Sequence, residues 1–191
     1  MSPQPGTATE EDVIRLLENP RRKGIAELID GILVEKPVRF WKSILTSVLA
    51  ARLWNPVEPR RLGIVAPPVW PFRLGGGNVR FPDVSFVPWS AFEGELKSLK
   101  SADFPPVLAV EILSESNTPT EIATNLAEYF NRGCKPAWII DPATEAVTVY
   151  TSANRGKAIP ADGELTGGKV LPGFVLKLSD LFATTKRPPK K

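Results

Sequence analysis

The distribution of apolar and polar residues along the chain predicts a mixed α/β fold. Residues 107–113 are apolar except for Glu111, and a continuous apolar run of this length is typical of a strand buried on both faces. Apolar residues at helical spacing predict helices over residues 10–18, 39–54 and 119–132. Further strands are predicted over residues 63–66, 70–74, 79–87, 137–140, 147–151 and within 170–182.

Turn and cap residues define where several of these elements begin and end. Asp30-Gly31 between two apolar runs predicts a β-hairpin over residues 26–35. Thr118 and Glu121 form a capping box with Pro119 at the first helical position, and Gly133 ends that helix. Pro82 has no amide hydrogen for a strand ladder, so it predicts an edge or a bulge immediately before Asp83.

Composition narrows the chemistry that the chain can perform. The 191 residues include no His and one cysteine, Cys134, which excludes an internal disulfide, most zinc sites and every His-based triad. Any bound metal must therefore be an oxygen-seeking ion such as Mg²⁺ or Mn²⁺. The net charge of +3 is compatible with nucleic-acid binding without requiring it. The lone cysteine and the lack of a membrane-spanning or signal-peptide run lead us to expect a cytoplasmic protein.

Glu111 is the residue around which the functional hypothesis is built. An ionised carboxylate inside a buried strand costs several kcal/mol unless it is paired or bound to a cation, so Glu111 requires a partner. Asp83 follows Pro82, at the position where a bulge re-aims a side chain. Two or three carboxylates gathered at one edge of a sheet can hold magnesium, which activates water and stabilises a phosphoryl transition state.

The order of several segments resembles the Uma-two family of restriction-endonuclease-like proteins, in the PD-(D/E)XK nuclease superfamily. The segments that carry the resemblance are residues 27–31, 82–87, 110–114 and 138–142, and the likeness extends from about residue 26 to residue 182. It implies a restriction-endonuclease-like core, with a central mixed β-sheet flanked by helices. We expect residues 21–183 to form this single domain, after a tail and short helix at 1–20 and before a disordered basic tail at 184–191.

The resemblance also implies a site. Asp83 and Glu111 would bind Mg²⁺ or Mn²⁺, and Glu27 matches an acid near the same centre. The superfamily's Lys falls on Leu113, and the position on the following helix to which the family moves it falls on Asn125. The implied catalytic set is Glu27, Asp83, Glu111 and Asn125, with cleavage weakened because Asn supplies no positive charge. DNA is the implied substrate and a homodimer the implied assembly.

Each of these residues also has a simpler interpretation on sequence alone. Glu27 fits a solvent-facing hairpin residue, Asp83 a turn acid, Glu111 a member of a structural ion pair, and Asn125 an exposed helix residue. Arg80 and Lys135 are the two cationic residues that could take the role of the missing Lys. The sequence therefore leaves three functions open: a metal-dependent endonuclease, a catalytically inactive nuclease-like binding protein, and a structural partner of another protein.

Overall fold

The computed structural model describes residues 6–21, 24–36, 39–96, 99 and 101–187, which form a mixed α/β fold. The helices are α1 Glu10–Leu17, α2 Phe40–Val57, α3 Pro119–Asn131 and α4 Leu178–Ala183, with a 3-10 turn at Trp89–Ala91. The strands are β1 Ile25–Ile29, β2 Ile32–Lys36, β3 Gly63–Ala66, β4 Phe72–Gly75, β5 Asn78–Arg80, β6 Val84–Pro88, β7 Leu108–Ile112, β8 Ala137–Asp141, β9 Ala146–Ser152, β10 Arg155–Ile159, β11 Glu164–Thr166 and β12 Val175–Lys177.

A six-stranded mixed sheet forms the centre, in the order β10-β9-β8-β7-β6-β3. Strands β7 and β8 are parallel and their other neighbours are antiparallel. Every residue of β7 is buried, which confirms the predicted central strand. Its Val110 and Ile112 face the core shared with α2 and α4, whereas Ala109 faces the side that contains Tyr129 of α3. Helices therefore cover both faces of the sheet.

A smaller sheet, in the order β2-β1-β5-β4, packs beside the first. Helix α1 contributes Val13 to a cluster with Leu28, Val79 and Phe81 of this sheet. The chain passes from the small sheet to the large one at Phe81, Pro82 and Asp83, between β5 and β6. The single strand predicted over residues 79–87 is therefore wrong. Because Pro82 cannot donate to a ladder, the segment divides into two strands of different sheets.

The hairpin predicted from Asp30-Gly31 is confirmed. Asp30 and Gly31 have φ values of 48° and 74°, the left-handed pair that a two-residue type I′ turn requires. This turn fixes the register so that Glu27 is directly opposite Val34. The α3 capping box is also confirmed, because Glu121 N donates to Thr118 Oγ1 at 3.2 Å while Thr118 N donates to Glu121 Oε2 at 2.8 Å.

The end of one helix and the number of strands differ from the prediction. Helix α2 extends beyond residue 54, where the predicted helix ends, and continues through Pro56 to Val57. Strands β10 and β11 were not predicted, because β10 is mostly exposed and β11 has three residues, so neither gives a clear apolar alternation. The predicted N-terminal tail and the predicted disordered tail at 184–191 lie partly outside the described residues; within them, Ala8 N donates to Gly31 O at 2.9 Å. Among the described helices, none is long and apolar enough to cross a membrane.

Cys134 should not react with thiol reagents in the folded protein. It is fully buried after α3, and burial raises the pKa of its thiol to about 12, so almost no thiolate forms at neutral pH. We expect Ellman's reagent to detect no thiol in the native protein and one thiol per chain in strong denaturant. Rapid labelling without denaturant would show that the segment after α3 opens readily.

Candidate functional site

Asp83 lies at the crossing between the sheets, just beyond the last β6–β7 pair, Val84 with Val110. Its Oδ2 accepts a hydrogen bond from Ile112 N at 2.7 Å and is 2.8 Å from Lys42 Nζ. Its Oδ1 is 3.2 Å from Lys36 Nζ, and the side chain is only 4% exposed. Asp83 is therefore a buried carboxylate with a charged partner on each oxygen, and not an exposed turn residue.

Glu111 projects from β7 toward α3. Its Oε1 accepts a hydrogen bond from the hydroxyl of Tyr129 at 2.6 Å, and its Oε2 is 3.1 Å from Lys36 Nζ. Burial raises the pKa of Glu111 to about 7; Asp83 and Glu27 act in the same direction, against the lowering effect of Lys36. The partner that the sequence required for Glu111 is thus a lysine from another sheet together with a buried phenol.

Glu27 is also buried, contrary to its simpler interpretation as a solvent-facing residue. Its Oε1 accepts a hydrogen bond from Phe81 N at 3.0 Å, and its Oε2 accepts one from Arg80 Nη1 at 3.1 Å. Arg80 in turn makes two hydrogen bonds to Glu128 of α3, at 2.6 and 3.1 Å. The guanidinium therefore joins the small sheet to α3 directly behind Glu27.

Lys36, the last residue of β2, is the centre of the cluster. Its Nζ is 3.1 Å from Glu111, 3.2 Å from Asp83 and 3.8 Å from Glu27, and it also donates to the carbonyl oxygen of Phe81. Burial alone disfavours the ammonium ion, but the three carboxylates raise the pKa of Lys36 above its ordinary value. The three predicted acids therefore converge on one point, which is occupied by a permanent positive charge.

Sequence reasoning missed Lys36 and Lys42, although two signals could have identified them. Glu27 pairs with Val34 in the hairpin, so Lys36, two residues further along, lies on the same face as Glu27. Lys42 precedes Leu45 and Leu49 at helical spacing, which aligns it with the apolar side of α2. A lysine on an apolar helix face needs a buried acid, and Asp83 is that acid.

The four positions named for the missing Lys differ in whether they bring a positive charge to the acids. Leu113 and Asn125 are not cationic. Asn125 lines the site cavity, and its Oδ1 is buried and has no hydrogen-bond partner among the described residues. Lys135 lies away from the site, because its amide bonds to Val107 O, before β7 begins. Arg80 does reach the cluster, through Glu27. The two motif positions therefore lack positive charge, while Lys36 and Lys42, which neither motif position supplies, both contact Asp83.

Two cavities open on the cluster. The larger, of about 840 Å³, is lined by Glu27, Glu111 and Asn125 together with the loop that follows β7. The smaller, of about 280 Å³, lies between α2 and the Pro67-Pro68 turn and reaches Asp83. Lys36, Arg39 and Lys42 line both cavities. The larger cavity also has Glu27, Glu35, Glu111 and Glu121 in its lining, so side chains of both charges surround it.

The donor set suits a hard divalent cation. The oxygens of Asp83, Glu111 and Glu27 are the ligand type that Mg²⁺ and Mn²⁺ bind. In the described part of the chain, however, no three Asp, Glu, His or Cys side chains are close enough together to hold a metal as they stand. The carboxylates are spaced around the Lys36 ammonium instead. Carboxylate oxygens are suitable ligands for a divalent metal, but in this structure they are arranged around an ammonium ion.

These features define a mixed α/β protein in which a buried cluster of three acids and two lysines borders a cavity beside a six-stranded sheet. The fold is similar to a solved structure from Anabaena variabilis ATCC 29413, described as "a putative nuclease belonging to DUF820". The two chains are 22% identical and superpose with a TM-score of 0.78 over 89% of this chain and 96% of the other. No curated protein matches the chain.

The family is established by sequence. The Uma2 family model, described as "Putative restriction endonuclease", matches residues 11–179. The chain belongs to this family, which confirms the resemblance drawn from its motifs. The match spans every residue of the acidic cluster, from Glu27 to Glu111.

Proposed function

We propose that the protein is a divalent-metal-dependent endonuclease that hydrolyses phosphodiester bonds in DNA. The observation that carries the proposal is the convergence of Glu27, Asp83 and Glu111 on one point at the edge of a cavity of about 840 Å³. Membership of a family described as restriction endonucleases supports the same reaction class.

In this proposal Asp83 and Glu111 bind Mg²⁺ or Mn²⁺, which would activate water and neutralise charge on the phosphate. Ile112 N and Lys42 orient Asp83, while the Tyr129 hydroxyl orients Glu111. Glu27 assists from the small sheet, and Asn125 adds a side-chain amide to the lining of the cavity.

Positive charge for the phosphate comes from the lysines of β2 and α2, not from the positions the family motif uses. Lys36 and Lys42 are both at the acids, and Arg39 lies on the rim of the cavities. Cationic groups beside a phosphodiester stabilise the charge that develops as the bond breaks. Weak cleavage was expected because Leu113 and Asn125 carry no positive charge. Since Lys36 and Lys42 can supply that charge, we propose an active enzyme.

The assembly and location belong to the same proposal. A homodimer would match the two-fold symmetry of duplex DNA and allow both strands to be cut. A reducing compartment such as the cytoplasm suits a chain whose single cysteine is buried.

The test is cleavage of supercoiled plasmid DNA with Mg²⁺ or Mn²⁺. We expect the natural protein to nick or linearise the plasmid, EDTA to stop it, and Asp83→Asn to reduce the rate by on the order of 100-fold or more. Asp162→Asn, at an exposed turn, is the matched control and should cleave like the natural protein. Cleavage that survives Asp83→Asn would place the activity elsewhere.

The second candidate is a nuclease-like protein that binds DNA without cutting it. The observation in its favour is that lysines and an arginine already neutralise the three acids without a metal. If neither metal supports plasmid cleavage, and the natural protein still retards DNA on a gel in EDTA, this second function replaces the first.

A further inference from the structure

Lys36 makes more contacts with carboxylates than a single structural ion pair requires. Its ammonium contacts all three carboxylates, whereas Lys42 contacts only Asp83. Metal–oxygen distances for Mg²⁺ are about 2.0–2.1 Å, so a cation bound jointly by Asp83 and Glu111 would lie within the space that the ammonium now fills. Both ions cannot occupy that position together.

We infer that Lys36 is a displaceable counter-ion of the metal site: it holds the carboxylates together until a divalent cation arrives, and must move away for the cation to bind. The inference rests on the metal site proposed above. The inference explains why no three acidic side chains among the described residues are close enough together to hold a metal: the acids are arranged around the Lys36 ammonium.

The surroundings of Lys36 permit such a movement. It ends β2, which has a single neighbour, β1, at the edge of the small sheet. Its flexible four-carbon stem lies between the two cavities, and its side chain is 15% exposed. Arg80 offers a contrast, since it is 3% exposed and makes three hydrogen bonds to two glutamates.

The displaced ammonium has a use in the proposed reaction. From β2 it would remain beside the cavity of about 840 Å³, where a phosphate group of DNA could pair with it. Metal entry would thus convert Lys36 from a partner of the acids into a partner of the substrate.

Manganese binding to the full chain, measured by calorimetry without DNA, tests the inference. Removing a positive charge a few ångströms from the metal should tighten Mn²⁺ binding, so we expect at least a ~10-fold lower Kd for Lys36→Met. Lys36→Arg keeps the charge and should bind like the natural protein. Lys157→Met, on exposed β10, makes the same change in net charge far from the site and should have no effect.

The melting temperature gives a second measure of the same coupling. Without metal, Lys36→Met should melt below the natural protein, because three carboxylates lose their shared cation. Saturating Mn²⁺ should raise its melting temperature more than that of the natural protein, as tighter binding to the folded state requires.

An experiment on the natural protein removes any dependence on how the variant folds. Labelling with an amine-reactive ester, quantified by mass spectrometry, should show low modification of Lys36 without metal and several-fold higher modification with Mg²⁺ or Mn²⁺. Lys157 should be labelled equally in both conditions.

The possible failures are distinguishable. If the natural protein binds Mn²⁺, but Lys36→Met binds no more tightly and Lys36 labelling does not change, the counter-ion inference is overturned while the metal site stands. If neither the natural protein nor the variants bind Mn²⁺, the metal-dependent function fails, and the inference fails with it.

Discussion

Glu111→Gln should abolish divalent-metal binding and reduce DNA cleavage by at least about 100-fold, while the protein remains folded. The amide keeps the shape of the side chain but loses the charge that binds a hard cation. Its carbonyl oxygen can still accept the Tyr129 hydrogen bond, and Lys36 keeps Asp83 and Glu27 as partners. Calorimetry with Mn²⁺ and plasmid cleavage measure the two losses, and circular dichroism checks the fold.

The matched control is Glu164→Gln, which makes the same chemical change on exposed strand β11. It should bind metal and cleave like the natural protein. Unchanged Mn²⁺ affinity in Glu111→Gln would show that Glu111 serves only the ion-pair network, and the proposed metal ligands would be wrong.

Arg80→Met should lower the free energy of unfolding by about 3–5 kcal/mol, the usual cost of removing one partner from a buried ion pair. The Arg80 side chain is 3% exposed and neutralises two carboxylates, Glu27 and Glu128, which are only 12% and 16% exposed and would lose that charge. Asn78 would still donate to Glu128 at 2.7 Å, but it brings no charge. Urea unfolding followed by tryptophan fluorescence gives the measurement.

Two further variants sharpen this test. Arg80→Lys keeps the charge but loses the two-pronged contact with Glu128, so its stability should be intermediate. Arg155→Met, on the exposed strand β10, should change stability by about 0.5 kcal/mol or less. A loss below about 1 kcal/mol for Arg80→Met would mean that water already reaches both carboxylates in the folded state.

Short stretches of sequence were sufficient to predict the elements that have strong local signals, such as turn or cap residues. The Asp30-Gly31 hairpin, the α3 capping box and the central strand β7 were each predicted from a few neighbouring residues. The division of residues 79–87 between two sheets was not, because it depends on which distant strands the chain meets on either side of Pro82. Pairing of that kind is a long-range property.

Glu111 was a candidate for a physical reason, Glu27 only through the family resemblance, and the lysines were overlooked. Glu111 is conspicuous because every neighbour in its strand is apolar, and a buried carboxylate requires compensation. Lys36 and Lys42 come from elements remote from β7 in sequence, and neither is at a position where the resemblance places the Lys of the superfamily. Charge compensation in a folded protein depends on distance in space.

The passage of the chain from the small four-stranded sheet to the six-stranded sheet has a consequence for how the site responds to local unfolding. Glu27 and Lys36 belong to the small sheet, Glu111 belongs to the large one, and Asp83 lies at the crossing. Release of the β1–β2 hairpin from its neighbours would remove one acid and the central cation in a single step, leaving the large sheet intact. Amide hydrogen exchange in the hairpin would therefore report directly on the fraction of molecules with an assembled site.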